Sequence, residues 1–178
     1  MALPLVYAPN KVFRQKAATV ESVDDNIRKI IDDMFETMRI EKGIGIGANM
    51  VGVLKRIVVI KMQQDDNVQT YAMVNPKIIK SSKEMQTFEE RSLCYPGIVA
   101  DITRPKQVTV TYLDYNGNEQ TLEADGFLST VVQHEMDYLN GKIFLDYLSK
   151  MKHDMLIKKM QKHIKNHPPH IHTSACAH

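Results

Sequence analysis

The stretch Gln133-His134-Glu135-Met136-Asp137-Tyr138-Leu139-Asn140-Gly141 decides the reading of this chain. Residues 127–140 read as a helix, and Gly141 supplies the stop that a helix C-terminus favours. On a helix, His134 and Tyr138 stand at i and i+4, one above the other. An H-E-x-x-H helix uses that spacing to present two imidazoles to a metal, with the Glu as general base. Here a tyrosine holds the second position. Taken by itself the motif admits a plainer reading: a His and a Tyr facing the core, beside a Glu paired for packing.

Outward from this helix lie two further segments. Residues 43–52 (Gly-Ile-Gly-Ile-Gly-Ala-Asn-Met-Val-Gly) are dense in glycine. They are expected to form a tight helix-to-strand connection that needs positive φ. They are not a phosphate loop, since Gly-Lys-Ser/Thr is missing and no strand precedes them. Residues 90–97 (Glu-Arg-Ser-Leu-Cys-Tyr-Pro-Gly) form the other segment. Around these, Ile27, Ile30, Ile31, Met34 and Met38 make one helical stripe, which predicts a core-packed helix over 24–42. Asp24 and Asp25 suit its start and Gly43 its end. Short β-type runs follow at 56–62, 70–75, 107–113 and 119–124. The last two flank Asn116-Gly117, a strong hairpin signal. A third helix is expected over 147–164. Helix, several strands, helix, helix is the order of an α+β fold with a mainly antiparallel sheet.

Gly43 to Met50, Glu90 to Cys94 and Gln133 to Gly141 together resemble the three ordered motifs of the peptide deformylase family, roughly G-x-G-L-A-A-x-Q, E-G-C-L-S and Q-H-E-x-D-H-L-x-G. Residues 31–38, Val74-Asn75-Pro76, Arg104-Pro105 and 142–146 are similar to the family as well, so the likeness spans about residues 3–164. It implies a sheet around a central motif helix, with an N-terminal and a C-terminal helix. It also implies a divalent metal, usually iron, held by one Cys and two His. A Glu acts as acid/base, and a Gln side chain and a backbone N–H hold the oxyanion.

Carried over by position, the Cys ligand is replaced by Ser92, the first His is kept as His134, and the second becomes Tyr138. The acid/base is kept as Glu135. The oxyanion Gln becomes Met50, and the backbone N–H is that of Leu93. A serine hydroxyl is far harder to ionise than a thiol. Tyrosine must lose a proton with a pKa of about 10 before it binds metal well. A thioether cannot donate to an oxyanion. A catalytic site of this type normally has three protein ligands and a water. No tightly bound metal is therefore expected, and the family's Fe2+ (or Ni2+, Zn2+ or Co2+) is the ion to consider if any binds. Cys94, two residues after Ser92, would share its face on a strand and could stand in only after a register slip. The ungapped match of Glu90 and Pro96-Gly97 argues against one.

The resemblance implies a peptide groove lined by Gly43, Ile44, Gly45 and Ile46 and by the strand around Ser92, Cys94 and Tyr95. The expected function is that of a deformylase-like protein with little or no deformylase activity, a pseudoenzyme that binds N-terminal peptide segments or regulates another process. The alternative is an active metal-dependent hydrolase, working in protein biosynthesis with an altered ligand set. It would remove formyl groups from N-formylmethionyl peptides of nascent proteins.

Composition bounds these readings. The chain has 178 residues, 43% hydrophobic and 25% charged, which suits one globular domain and rules out disorder or a coiled coil as the whole. A net charge of +2 is too small to suggest DNA or RNA binding by the whole surface. The basic residues gather late, with Lys158, Lys159, Lys162 and Lys165 on one helix. By resemblance that helix would contact the ribosome, while a solvated face is the default. Two cysteines make no disulfide framework. No apolar run reaches the ~20 residues of a membrane span, and no signal peptide is read, so the expected location is the cytoplasm. The expected domain is 1–165. Residues 166–178, with His167, His170, His172, Cys176 and His178, read as a flexible His-rich tail that could bind metal loosely.

Overall fold

The computed structural model describes residues 1–169. Most of the expected tail, and with it His170, His172, Cys176 and His178, lies outside the described residues. Helix α1 (Asp25–Ile40) forms where the isoleucine and methionine stripe predicts it. The Asp24 carboxylate accepts from the Ile27 N–H as N-cap, and Ile27, Ile31, Met34 and Met38 are buried. Strands β1 (Gly45–Gly47), β2 (Ile57–Gln64), β3 (Asn67–Ser81), β6 (Gln107–Leu113) and β7 (Glu119–Asp125) build a five-stranded sheet in the order β1-β2-β3-β6-β7. Each pairing in it is antiparallel. Strands β4 (Met85–Ser92) and β5 (Tyr95–Pro105) form a separate antiparallel hairpin. This is the α+β architecture expected, and the Asn116-Gly117 hairpin is present with Gly117 at φ +81°.

Helix α2 (Gly126–Leu139) carries the motif and is wedged between the two sheets. Val132, Met136 and Leu139 recur at i, i+4 and i+7. They pack on the sheet against Val58, Ile60, Met73, Val108 and Val110. Tyr138 points the other way, into a core shared with Ile31, Met34, Met38, Phe13 and Phe144. Facing apolar layers on both sides, the helix is buried almost all round, and its polar side chains are buried with it. Helix α3 (Lys150–Asn166) starts later than the expected 147. A 3-10 turn occupies Phe144–Tyr147, and the Ser149 hydroxyl caps the helix by accepting from the Lys152 N–H. Its one fully buried side chain is Met160, which leaves the lysines on an exposed face.

Two local expectations are corrected. The glycines of the 43–47 run do not sit at positive φ; in this segment Gly52 does, at +77°. What they permit is close approach. A Cβ on Gly43 would lie 2.8 Å from Leu93 Cδ1, and one on Gly45 would lie 2.9 Å from Glu135 Cγ. The chain also does not run straight through Ser92–Tyr95. Ser92 pairs with Tyr95 across a turn made of Leu93 and Cys94, so Cys94 is not on a strand continuing the face of Ser92.

Candidate functional site

The motif helix, the edge strand β1 and the end of β4 enclose a cavity of about 280 Å3. Gly43, Ile44 and Gly45 form one wall, Glu90, Ser92 and Leu93 a second, and Thr130, Val131, His134 and Glu135 a third. Met50 lies at its base, and Phe127 stands 40% exposed among its lining residues. Eight of the sequence-expected residues (Gly43, Ile44, Gly45, Met50, Ser92, Leu93, His134 and Glu135) thus meet in one place. Ile46, Cys94, Tyr95 and Tyr138 do not line it. Ile46 and Cys94 are fully buried in the core, and Tyr95 packs on Phe13 and Phe144. The turn at Leu93 sends Cys94 inward, its Sγ 3.9 Å from the Met50 carbonyl. Burial pushes its thiol pKa well up, with the charges of Glu135 and Glu41 adding to the effect.

The positions of the two replaced ligands are bonded to each other. Ser92 Oγ and Tyr138 Oη lie 2.5 Å apart, and Ser92 Oγ also accepts from the Cys94 N–H at 3.3 Å. Tyr138 is fully buried behind Ser92, and burial raises its phenol far above its ordinary pKa. Met50 Sδ accepts from the Gly47 N–H at 3.4 Å. His134 Nδ1 meets Glu90 Oε1 at 2.7 Å. Arg104 donates to both Glu90 oxygens at 2.7 and 2.9 Å, and to Asp137 at 2.8 Å. Burial alone would raise the Glu90 pKa. The bonds from His134 and Arg104 and the guanidinium charge outweigh it and hold that carboxyl below its usual range.

Glu135 is the residue lining the cavity that escapes this satisfaction; among the described residues the buried Asn49 Oδ1 is likewise without a partner. Glu135 is 5% exposed, and its Oε2 has no hydrogen-bond partner among the described residues. Burial raises its pKa, against the attraction of His134 and a bond from the Gly47 backbone. Glu90, Arg104 and Asp137 were not singled out in the sequence as site residues. Arg104 occupies a core-phase position two after Ile102 on β5, and a cation there demands buried acids; that phase was the available signal.

Comparison with known proteins agrees with this architecture. The family model for polypeptide deformylase matches residues 2–154. A "Peptide deformylase-like" protein of Rickettsia conorii is 56% identical over 98% of this chain and 95% of its own length. "Peptide deformylase 1" of the same organism is 41% identical, over 92% and 97%. The crystal structure of peptide deformylase from Ehrlichia chaffeensis superposes with a TM-score of 0.89 at 41% identity, covering 93% of this chain and 98% of that one. Fold and cavity define a peptide deformylase scaffold. The chain belongs to the peptide deformylase family.

That family is metal-dependent, and the side chains here do not fit its metal. Among the described residues no group of three His, Cys, Asp or Glu side chains could hold an ion. The carried-over set is one imidazole, one hydroxyl and one phenol held neutral by burial, and the latter two are already bonded to each other. Among the described residues no helix is long and apolar enough to cross a membrane.

Proposed function

We propose that this protein keeps the peptide cleft of its family and binds the N-terminal residue of a peptide there, without the family's metal-centred deformylation. The observation that carries this is the Ser92–Tyr138 hydrogen bond, which ties together the two positions where a thiolate and a second imidazole would be needed. The oxyanion side loses a donor at Met50, whose sulfur only accepts, while the backbone N–H of Leu93 stays beside the cleft. Removing one such donor lowers rates by ~10²–10³ where measured. The cleft has apolar walls from Ile44, Leu93 and Val131, which suit an apolar side chain. A wider groove continues from it past Lys42 and Phe127 along α1. The greater likeness to the Rickettsia conorii deformylase-like protein than to deformylase 1 of that organism supports the same reading. The basic face of α3 suits contact with ribosomal RNA, as the resemblance implies.

A second reading is an active hydrolase of N-formylmethionyl peptides. Its support is the names of relatives such as the Rhizobium meliloti peptide deformylase, 43% identical, together with retention of His134 and Glu135. Formate release from a formyl-Met peptide separates the two. The protein is purified anaerobically and offered Fe2+, Co2+, Ni2+ and Zn2+ in turn, with Glu135→Gln beside it. No release above the variant is expected, and release that disappears in the variant establishes the hydrolase.

A further inference from the structure

We infer that the cleft selects an unblocked N-terminus, a free α-ammonium group, over the formylated one; this rests on the peptide-binding reading above. The argument is a tally of donors and acceptors around the cavity. A formamide presents an acceptor oxygen and one N–H, so a site that favours it supplies donors. An ammonium presents three N–H donors and a positive charge, so a site that favours it supplies acceptors and negative charge.

Relative to the family pattern the polar side chains around this cavity shift toward acceptors, and of the two oxyanion donors only the backbone N–H of Leu93 stays beside the cleft. Met50 stands where the family pattern has a donor, and its sulfur only accepts. Ser92 and Tyr138 are bonded to each other, and Ser92 Oγ also accepts from the Cys94 N–H, so the pair keeps a single hydroxyl proton for any other acceptor. Arg104, the nearest buried cation, is spent on Glu90 and Asp137. The other lining cations, Lys42 and Arg91, are on the exposed rim, and Arg91 is paired with Glu89. Against these stands Glu135, buried, with Oε2 unpartnered among the described residues. A buried carboxylate oxygen without a donor is costly, and a charged donor is the group that satisfies it best. Gly45 has no Cβ to intrude between Glu135 and strand β1. Gly45 and Glu135 line the same cavity, so on this inference a chain laid along that edge would bring its N-terminus to the carboxyl and its first side chain to the apolar part of the cavity.

The test is calorimetric titration of the full chain with three tripeptides of one sequence beginning with Met: free, N-formyl and N-acetyl. The free peptide is expected to bind at least tenfold more tightly than either blocked one. In Glu135→Gln that preference should fall below threefold, through weaker binding of the free peptide alone. Met50→Gln, which leaves Glu135 in place and returns a donor, should strengthen formyl binding. Formyl binding equal to or tighter than free binding overturns this inference and leaves peptide binding standing. A preference that survives Glu135→Gln overturns it too. Failure of all three peptides to bind overturns the peptide-binding reading itself.

Discussion

Glu135 shows how a single residue can be kept at a cost to the fold. Burial disfavours its charged form, and its folded pKa is raised. A carboxyl with a raised folded pKa lowers stability once pH climbs past the unfolded value of about 4.3. Glu135→Gln keeps the shape and removes the ionisation. It should stabilise the protein by about 1–3 kcal/mol at pH 7. The gain should shrink as pH falls toward 4, because both proteins are then neutral at this position. Urea unfolding at several pH values measures it, and a loss of stability at pH 7 would contradict the account. His134 and Glu135 were legible because helix spacing places them without knowledge of any partner. Cys94 and Tyr95 were not legible as core residues. Their orientation depends on the turn at Leu93, and nothing in the residue types from 92 to 95 announces that the strand reverses there.

Elements were legible in proportion to how simply they alternate. Helix α1 and the β6–β7 hairpin each have one apolar face and clear stop signals, and both lie where expected. Strands β4 and β5 are legible only as a strand around Ser92–Tyr95, for the opposite reason. Met85–Ser92 is mostly polar, and the core phase of β5 ends in Arg104. The packing of α3 on this hairpin depends on Gly97, which sits at φ +78°. A Cβ there would lie 2.3–2.7 Å from the His163 ring. Gly97→Ala should therefore cost about 1–3 kcal/mol by overpacking, besides the backbone strain. Truncating the ring should return the steric part. A double-mutant cycle with His163→Ala reads that coupling directly, and simple additivity of the two variants would place the cost in the backbone alone.

At the scale of the whole molecule, the question is what holds the two sheets to the helix between them. In the family pattern the residue at the end of β4 and two residues of the helix would hold a metal. Here that bridge is replaced by polar ties. Ser92 bonds Tyr138, Glu90 bonds His134, and Arg104 joins β5 to Glu90 on β4 and Asp137 on α2. Arg104 is 2% exposed, so its loss strands two acids without a cation. Arg104→Leu should cost about 3–5 kcal/mol at pH 7. Glu90 has a depressed folded pKa in the wild type, so its contribution is complete above the ordinary carboxylate range and fades as pH falls through the folded value. In the variant, burial acts on Glu90 unopposed, and protonation relieves it. The stability gap between the two proteins should therefore be widest near pH 7 and narrow in acid; a gap independent of pH would mean that Arg104 acts by packing alone. On the proposed reading these ties hold the fold without a metal. Chelator should leave the wild-type unfolding midpoint unchanged. The double variant Ser92→Cys/Tyr138→His restores a thiolate and an imidazole beside His134. It should bind Zn2+ and gain about 2.7 kcal/mol when the ion is at a hundred times its dissociation constant. Chelator-sensitive stability in the wild type, or no zinc-dependent gain in the double variant, would show that the replaced ligands are not what separates this protein from a metal-holding scaffold.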